Sequence, residues 1–203
     1  MAIKQMLITR MKPLAAALVL SATATTANAN VIDFADPAIS AGVGQTVSLS
    51  ISLDFVQTTV GGSFDLFYDS GLLSFVSFDF DSDFLALIDP AFTVMPDDCL
   101  NNGAAIAGCS VGDAELNGIS FGNFDGITGE LTVGTVTFET LDVGIAVVTM
   151  ANNDAPYEGF IGVDASELLV LYGPGTVHIV PVPAALWLML SAVGLAGAVR
   201  RRK

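Results

Sequence analysis

Along the middle of the chain, apolar and polar positions alternate with a period of two. Val47, Leu49, Ile51, Leu53 and Phe55 are interleaved with Ser48, Ser50, Ser52 and Asp54, the pattern of a strand with one buried and one wet face. Val31-Ile32-Asp33-Phe34 predicts a short first strand. Phe64, Leu66 and Tyr68 alternate with Asp65, Phe67 and Asp69, and Asp69-Ser70-Gly71 marks a turn. Leu72 to Phe84 reads as one strand, with Val76, Phe78 and Phe80 facing one way and Ser77, Asp79 and Asp81 the other. Leu131 to Glu139 changes phase at Gly134, which predicts a bulge there. Ile145 to Met150, Glu167 to Tyr172 and Thr176 to Val180 supply further strands. Together these give about eight or nine strands and no helical repeat, which predicts a two-sheet β-sandwich rather than a parallel α/β fold. Asp89 to Phe124 has the weakest alternation, and it is expected as an insertion lying across one end or edge of the sandwich.

The two ends follow different rules. At the N-terminus Lys4, Arg10 and Lys12 precede the apolar run Leu14 to Leu20, and Ala27-Asn28-Ala29 closes a small, polar stretch. That order is a secretory signal peptide over residues 1–29, with cleavage expected after Ala29. At the other end Val180-Pro181-Val182-Pro183 opens a charge-free run from Ala184 to Val199, and Arg200, Arg201, Arg202 and Lys203 follow. A helix started by Pro183 would be long enough to span a membrane. The basic cluster would hold its end in the cytoplasm, and Trp187 would lie near an interface.

Charge sharpens this division. All seven Lys and Arg lie in those two ends, whereas all 21 Asp and Glu lie between Asn30 and Val180. The formal charge of −14 therefore conceals a domain near −21. No internal Lys or Arg salt bridge is possible in it, and self-repulsion opposes its compact state. Nucleic acid and anionic membrane surfaces are poor partners for such a domain. The 13 Phe, against one Trp and three Tyr, suit the core of a sandwich. In an exported chain, Cys99 and Cys109 read as a disulfide stapling a loop of Asn, Gly, Ala and Ser; two thiols without a nearby His are too few for a metal.

Candidate chemistry is sparse. The single His178 falls on the predicted last strand with no partner acid or Ser motif at an interpretable spacing, so a catalytic triad is not indicated. Carboxylate pairs are too abundant to single out a glycosidase pair. Asp79, Asp81 and Asp83 imitate the start of an EF-hand, but Phe84 stands where Gly is needed and Pro90 where the bidentate Glu belongs. On one strand face these carboxylates would sit roughly 7 Å apart, which makes calcium the one cofactor worth testing for.

Two resemblances rest on these residues. Val180-Pro181-Val182-Pro183-Ala184-Ala185-Leu186-Trp187, the apolar run and the closing Arg200 to Lys203 resemble the PEP-CTERM sorting signal, in a V-P-x-P-A-A-x-W form with Val182 at the usual acidic position. The resemblance implies recognition by an exosortase-type enzyme in the inner membrane, removal of the tail, and delivery to the surface or an exopolysaccharide matrix. The body is similar to a cohesin-type jelly-roll sandwich. Ala41 to Val47, Gly61 to Asp69 with Leu72 to Phe75, and Gly129 to Phe138 with Val143-Gly144 carry that likeness. The expected organisation is a signal peptide (1–29), an acidic cohesin-like sandwich (30–179) and a sorting tail (180–203). The expected function is a non-catalytic surface or matrix interaction module, with polysaccharide or another surface protein as partner. The alternatives are a carbohydrate-binding module, calcium-dependent or not, and a secreted hydrolase.

Overall fold

The computed structural model describes residues 29–101, 109, 114–153 and 159–181. Residues 1–28 of the expected signal peptide and the expected sorting tail from Val182 onward lie outside them. Among the described residues no helix is long and apolar enough to cross a membrane.

Two strands organise the domain. β3 (Thr46–Phe67) and β6 (Glu115–Thr140) run antiparallel to each other for nearly their whole length. Their halves belong to different layers. The first half of β3 and the second half of β6 are flanked by β1 (Asn30–Phe34), then β10 (Val170–Tyr172), on one side and by β4 (Leu73–Phe80) on the other. The second half of β3 and the first half of β6 continue into β7 (Gly144–Asn152), β11 (Gly175–Val180) and β2 (Ala38–Gly42) on one side and β5 (Asp97–Asp98) on the other. Where the two long strands change layer, β8 (Phe160–Gly162) pairs with β3 and β9 (Glu167–Leu168) pairs with β8. All pairings are antiparallel except β1 with β10 and β2 with β11. The result is a β-sandwich whose two sheets share their central strands.

Glycine makes the crossover possible. Gly61 has φ +139°, and a Cβ on Gly62 would lie 2.2 Å from the Gly159 carbonyl oxygen. No side chain fits so close to another backbone, and the left-handed region favours glycine. Phenylalanines fill the space between the layers. The Phe160 ring lies 5.2 Å from that of Phe55 and 5.4 Å from that of Phe121, and Phe121 lies edge-on to Phe84 at 4.9 Å.

The alternation of 47–55 is preserved: Val47, Leu49, Ile51, Leu53 and Phe55 are all buried. The bulge expected near Gly134 is present, because the register jumps from Gly134 to Thr132 opposite Ile51 and Ser52. Other expectations are corrected. The expected strand over Leu72 to Phe84 ends at Phe80. Val76 lies at a register shift and is exposed, so it does not face the core with Phe78. The insertion expected over Asp89 to Phe124 is shorter, since Glu115 to Phe124 opens β6 and places Leu116, Ile119 and Phe121 in the core. Its alternation is hidden because Gly118, at φ +79°, breaks the period. Glu167 to Tyr172 is two short strands rather than one. β2 (AISAG) shows no alternation of its own, and its pairing with β11 makes it a strand.

Candidate binding surfaces

The sequence-predicted aspartates do three different things. Asp79 is on β4 and accepts a hydrogen bond from Ser77 Oγ at 3.0 Å. Asp81 caps a one-turn helix, α1 (Ser82–Leu85), by accepting from the backbone N–H groups of Asp83 (2.9 Å) and Phe84 (3.2 Å). Those N–H groups have no partner within the helix, so a carboxylate at the cap satisfies them. Asp83 is exposed in the first helical turn. The turn also inserts Phe84 into the core, stacked with Phe80 at 6.4 Å. Capping and core burial thus break the strand on which the calcium expectation rested. Among the described residues no group of three or more His, Cys, Asp or Glu is arranged to hold a metal ion.

Cys99 is fully buried and disulfide-bonded to Cys109, with Cα atoms 5.4 Å apart. His178 is an exposed residue of β11, opposite Ile145 of β7 and Ser40 of β2. It has no carboxylate facing it across either strand. Val180 ends β11 with its side chain half exposed and Pro181 follows; Val182, Pro183, Ala184, Trp187 and Arg200 to Lys203 lie outside the described residues.

Two surfaces stand out that single-strand patterns did not reveal. The first is the outer face of β7, β11 and β2. Register aligns Val147 with Thr176 and Ala38, and Ile145 with His178 and Ser40. Ile145 is 60% exposed, Val147 49% and Val180 48%. The outward positions of these three strands are Ala38, Ser40, Thr176, His178, Val180, Ile145, Val147, Thr149 and Ala151, and none is acidic. In a domain near −21, a continuous neutral, half-apolar face is the exception that asks for a cover.

The second surface is an open cleft of about 390 Å³ at the crossover. Gly61, Gly62 and Gly122 form its floor, and Phe92 and Phe124 form a wall, their rings edge-to-face at 5.0 Å and 88°. A 3-10 turn (Pro90–Phe92) positions Phe92. Asp89 caps that turn by accepting from the Ala91 N–H at 2.8 Å, and its own N–H bonds the Gly122 carbonyl. Asn123 holds the opposite side by donating to the Leu87 carbonyl and accepting from the Asp125 N–H at 2.8 Å. Behind the rim, Ser166 donates to Asp164 through Oγ and N–H, which holds the Asp164 carboxyl below the usual range. Burial raises the Tyr68 hydroxyl to about 12, with the charge of Asp98 adding to the effect. Burial and then the charge of Asp65 raise the Tyr172 hydroxyl as well.

Comparison with known proteins identifies the fold. No family model matches the sequence, and no curated protein does either. Solved structures do match. The chain is similar to a type I cohesin–dockerin complex from Clostridium thermocellum, at 13% identity and TM-score 0.53, over 75% of this chain and 95% of that one. A second type I cohesin–dockerin complex from the same organism matches at 15% identity and TM-score 0.52, over 74% and 100%. The third cohesin of ScaC from Acetivibrio cellulolyticus, in complex with the ScaB dockerin, matches at 17% identity and TM-score 0.52, over 74% and 99%. At these identities the likeness is one of fold: the described domain is a cohesin-like β-sandwich.

Proposed function

We propose that this chain is an exported, non-catalytic interaction module whose sandwich binds a partner protein through the outer face of β7, β11 and β2. The observation that carries the reading is the missing charge: the other described surfaces carry acids, and this one carries exposed Ile145 and Val147 around a neutral centre. Apolar area of this kind gains free energy when a partner removes it from water. A partner that is itself a protein accords with the fold, since the cohesins it resembles were solved with dockerins bound. A sugar-binding reading has weaker support. Phe92 and Phe124 meet edge-to-face and offer no flat platform, Tyr68 is buried, and Tyr157 lies outside the described residues.

In this reading the signal peptide exports the chain, and the PEP-CTERM-like tail is cut by an exosortase-type enzyme, leaving the module at the surface or in an exopolysaccharide matrix. Intact mass of the protein from its host checks the sorting half: loss of residues 1–29 and of the tail near Pro183 is expected, and a full tail in the inner membrane would overturn it. The binding half is tested by cross-linking on intact cells, with an Ile145→Asp/Val147→Asp variant alongside the wild type. Cross-links to one surface protein, lost in the variant at unchanged thermal midpoint, are expected. Cross-links that persist in the variant, enrichment of polysaccharide alone, or hydrolysis of glycan or ester substrates would overturn it.

A further inference from the structure

We infer that the crossover cleft is a second, separate docking site, and that it takes an aromatic or branched aliphatic side chain flanked by Lys or Arg on a partner polypeptide. Three observations lead there. The cleft is apolar: Ser120 is the single polar side chain in its lining, and it is buried. A small-molecule site of this size would carry convergent polar groups to fix its ligand. Large apolar side chains in and beside the lining segments are also exposed. Phe124 is 75% exposed, Val163 62% and Met95 52%, an unusual outlay for a residue as large as phenylalanine. An extended segment with one anchor in the cleft covers this ledge; a compact ligand does not.

Charge chooses the chemistry of that segment. Asp125 follows Phe124 directly and Asp164 follows Val163, while Asp89 caps the turn that carries Phe92. Val163 and Gly126 lie close together, since a Cβ on Gly126 would stand 3.5 Å from a Val163 methyl. Asp125 and Asp164 are therefore chain neighbours of that contact, and both are exposed. Residues 30 to 180 contain no Lys or Arg to offset them. An acidic segment, a phosphate or an anionic membrane meets repulsion here, whereas flanking cations gain from the field of the whole domain. The apolar cleft with exposed acids nearby thus resembles an interface patch with an apolar centre and a charged rim.

The test uses fluorescence anisotropy with the full-length chain and a labelled synthetic peptide carrying a central Phe between pairs of Lys. Saturable binding is expected, with a salt-dependent affinity. Changing the peptide's Phe to Ala, or the protein's Phe124→Ser, should each weaken it by about tenfold or more, as loss of an anchor does. Asp125→Asn/Asp164→Asn should reduce the salt dependence. A peptide with Glu in place of Lys should not bind. Equal binding by the Ala-centred peptide and by the Phe124→Ser protein would show general charge attraction only and overturn the site. Equal binding by the Glu peptide, or preference for phosphatidylcholine vesicles over the Lys peptide, would overturn the partner chemistry. Ile145→Asp/Val147→Asp should leave this binding unchanged, so the two surfaces stand or fall separately.

Discussion

The two outer faces of the sandwich are made by the same alternating rule and end up chemically opposite. On the first layer, cross-strand register pairs Ser48 with Thr137, Ser50 with Thr135, Ser52 with Thr132 and Asp54 with Glu130. At these positions of β3 and β6 that face is hydroxyl and carboxylate, with exposed Leu171 of β10 at its edge, and its groups bond each other: Ser48 Oγ and Thr137 Oγ1 lie 3.1 Å apart, and Ser52 donates to Asp33 at 2.7 Å. On the second layer, β7, β11 and β2 present Val147 beside Thr176 and Ile145 beside His178. Alternation alone says only that a residue points outward. A face satisfied by its own hydrogen bonds and by water needs nothing more, whereas a face of exposed isoleucine and valine gains by being covered. The difference is what the proposed partner face rests on.

The strongest way to break this comparison is to break the crossover that holds the two faces back to back. Gly62→Ala would put a Cβ 2.2 Å from the Gly159 oxygen. It should lower stability by about 3 kcal/mol or more, measured by denaturant unfolding, and both faces should be lost together. Opening the Cys99–Cys109 disulfide, with a sequence separation of 10, should cost about 2–3 kcal/mol by loop entropy. Thermal unfolding with and without reductant reads this directly.

A smaller effect concerns the core between the faces. The Tyr68 hydroxyl is buried and has no hydrogen-bond partner among the described residues. Tyr68→Phe should therefore raise stability by about 1 kcal/mol at neutral pH. Its folded pKa of about 12 lies above the ordinary 10.0. Between those values the unfolded chain loses the proton first, so stability falls as pH rises from 10 to 12, and Tyr68→Phe should flatten that limb. The thermal midpoint against pH is the measurement.

The smallest expected effect belongs to the polar face. Asp54 and Glu130 are directly opposed like charges, so Asp54→Asn should stabilise by about 0.2–1 kcal/mol at low ionic strength and by less at 1 M salt. The wild type itself should melt higher as salt screens its charge. If Asp54→Asn gains nothing at low salt, or its gain is the same at both salt concentrations, repulsion is not what limits the acidic face.

Much of the fold was legible because it was written locally. Val47 to Phe55 alternates without interruption, and the phase slip near Gly134 is visible in the order of Val133, Val136 and Phe138. Legibility failed where a residue's role comes from a distant strand. β2 has no apolar period and exists through Ala38 to Gly42 pairing with Thr176 to Val180. Glu115 to Phe124 is a central strand whose period Gly118 disrupts. Asp81 reads as one more strand acid until its carboxylate is seen capping the turn that buries Phe84. Neither surface was legible either. The neutral face joins β2 to strands more than a hundred residues further along the chain, and the cleft is lined by four segments that meet at the crossover.

By itself the sequence determined the period-two pattern, the crowding of every Lys and Arg into the two ends, the acidic middle and the pairing of two cysteines. These are properties of composition and of neighbours along the chain, and they need no knowledge of what lies opposite. Tertiary structure decided which outward positions line up into a face, where glycines let two backbones touch, and which aspartates cap turns. Those depend on register and layer crossing, and a shift of one residue in either exchanges the inside of a strand for its outside.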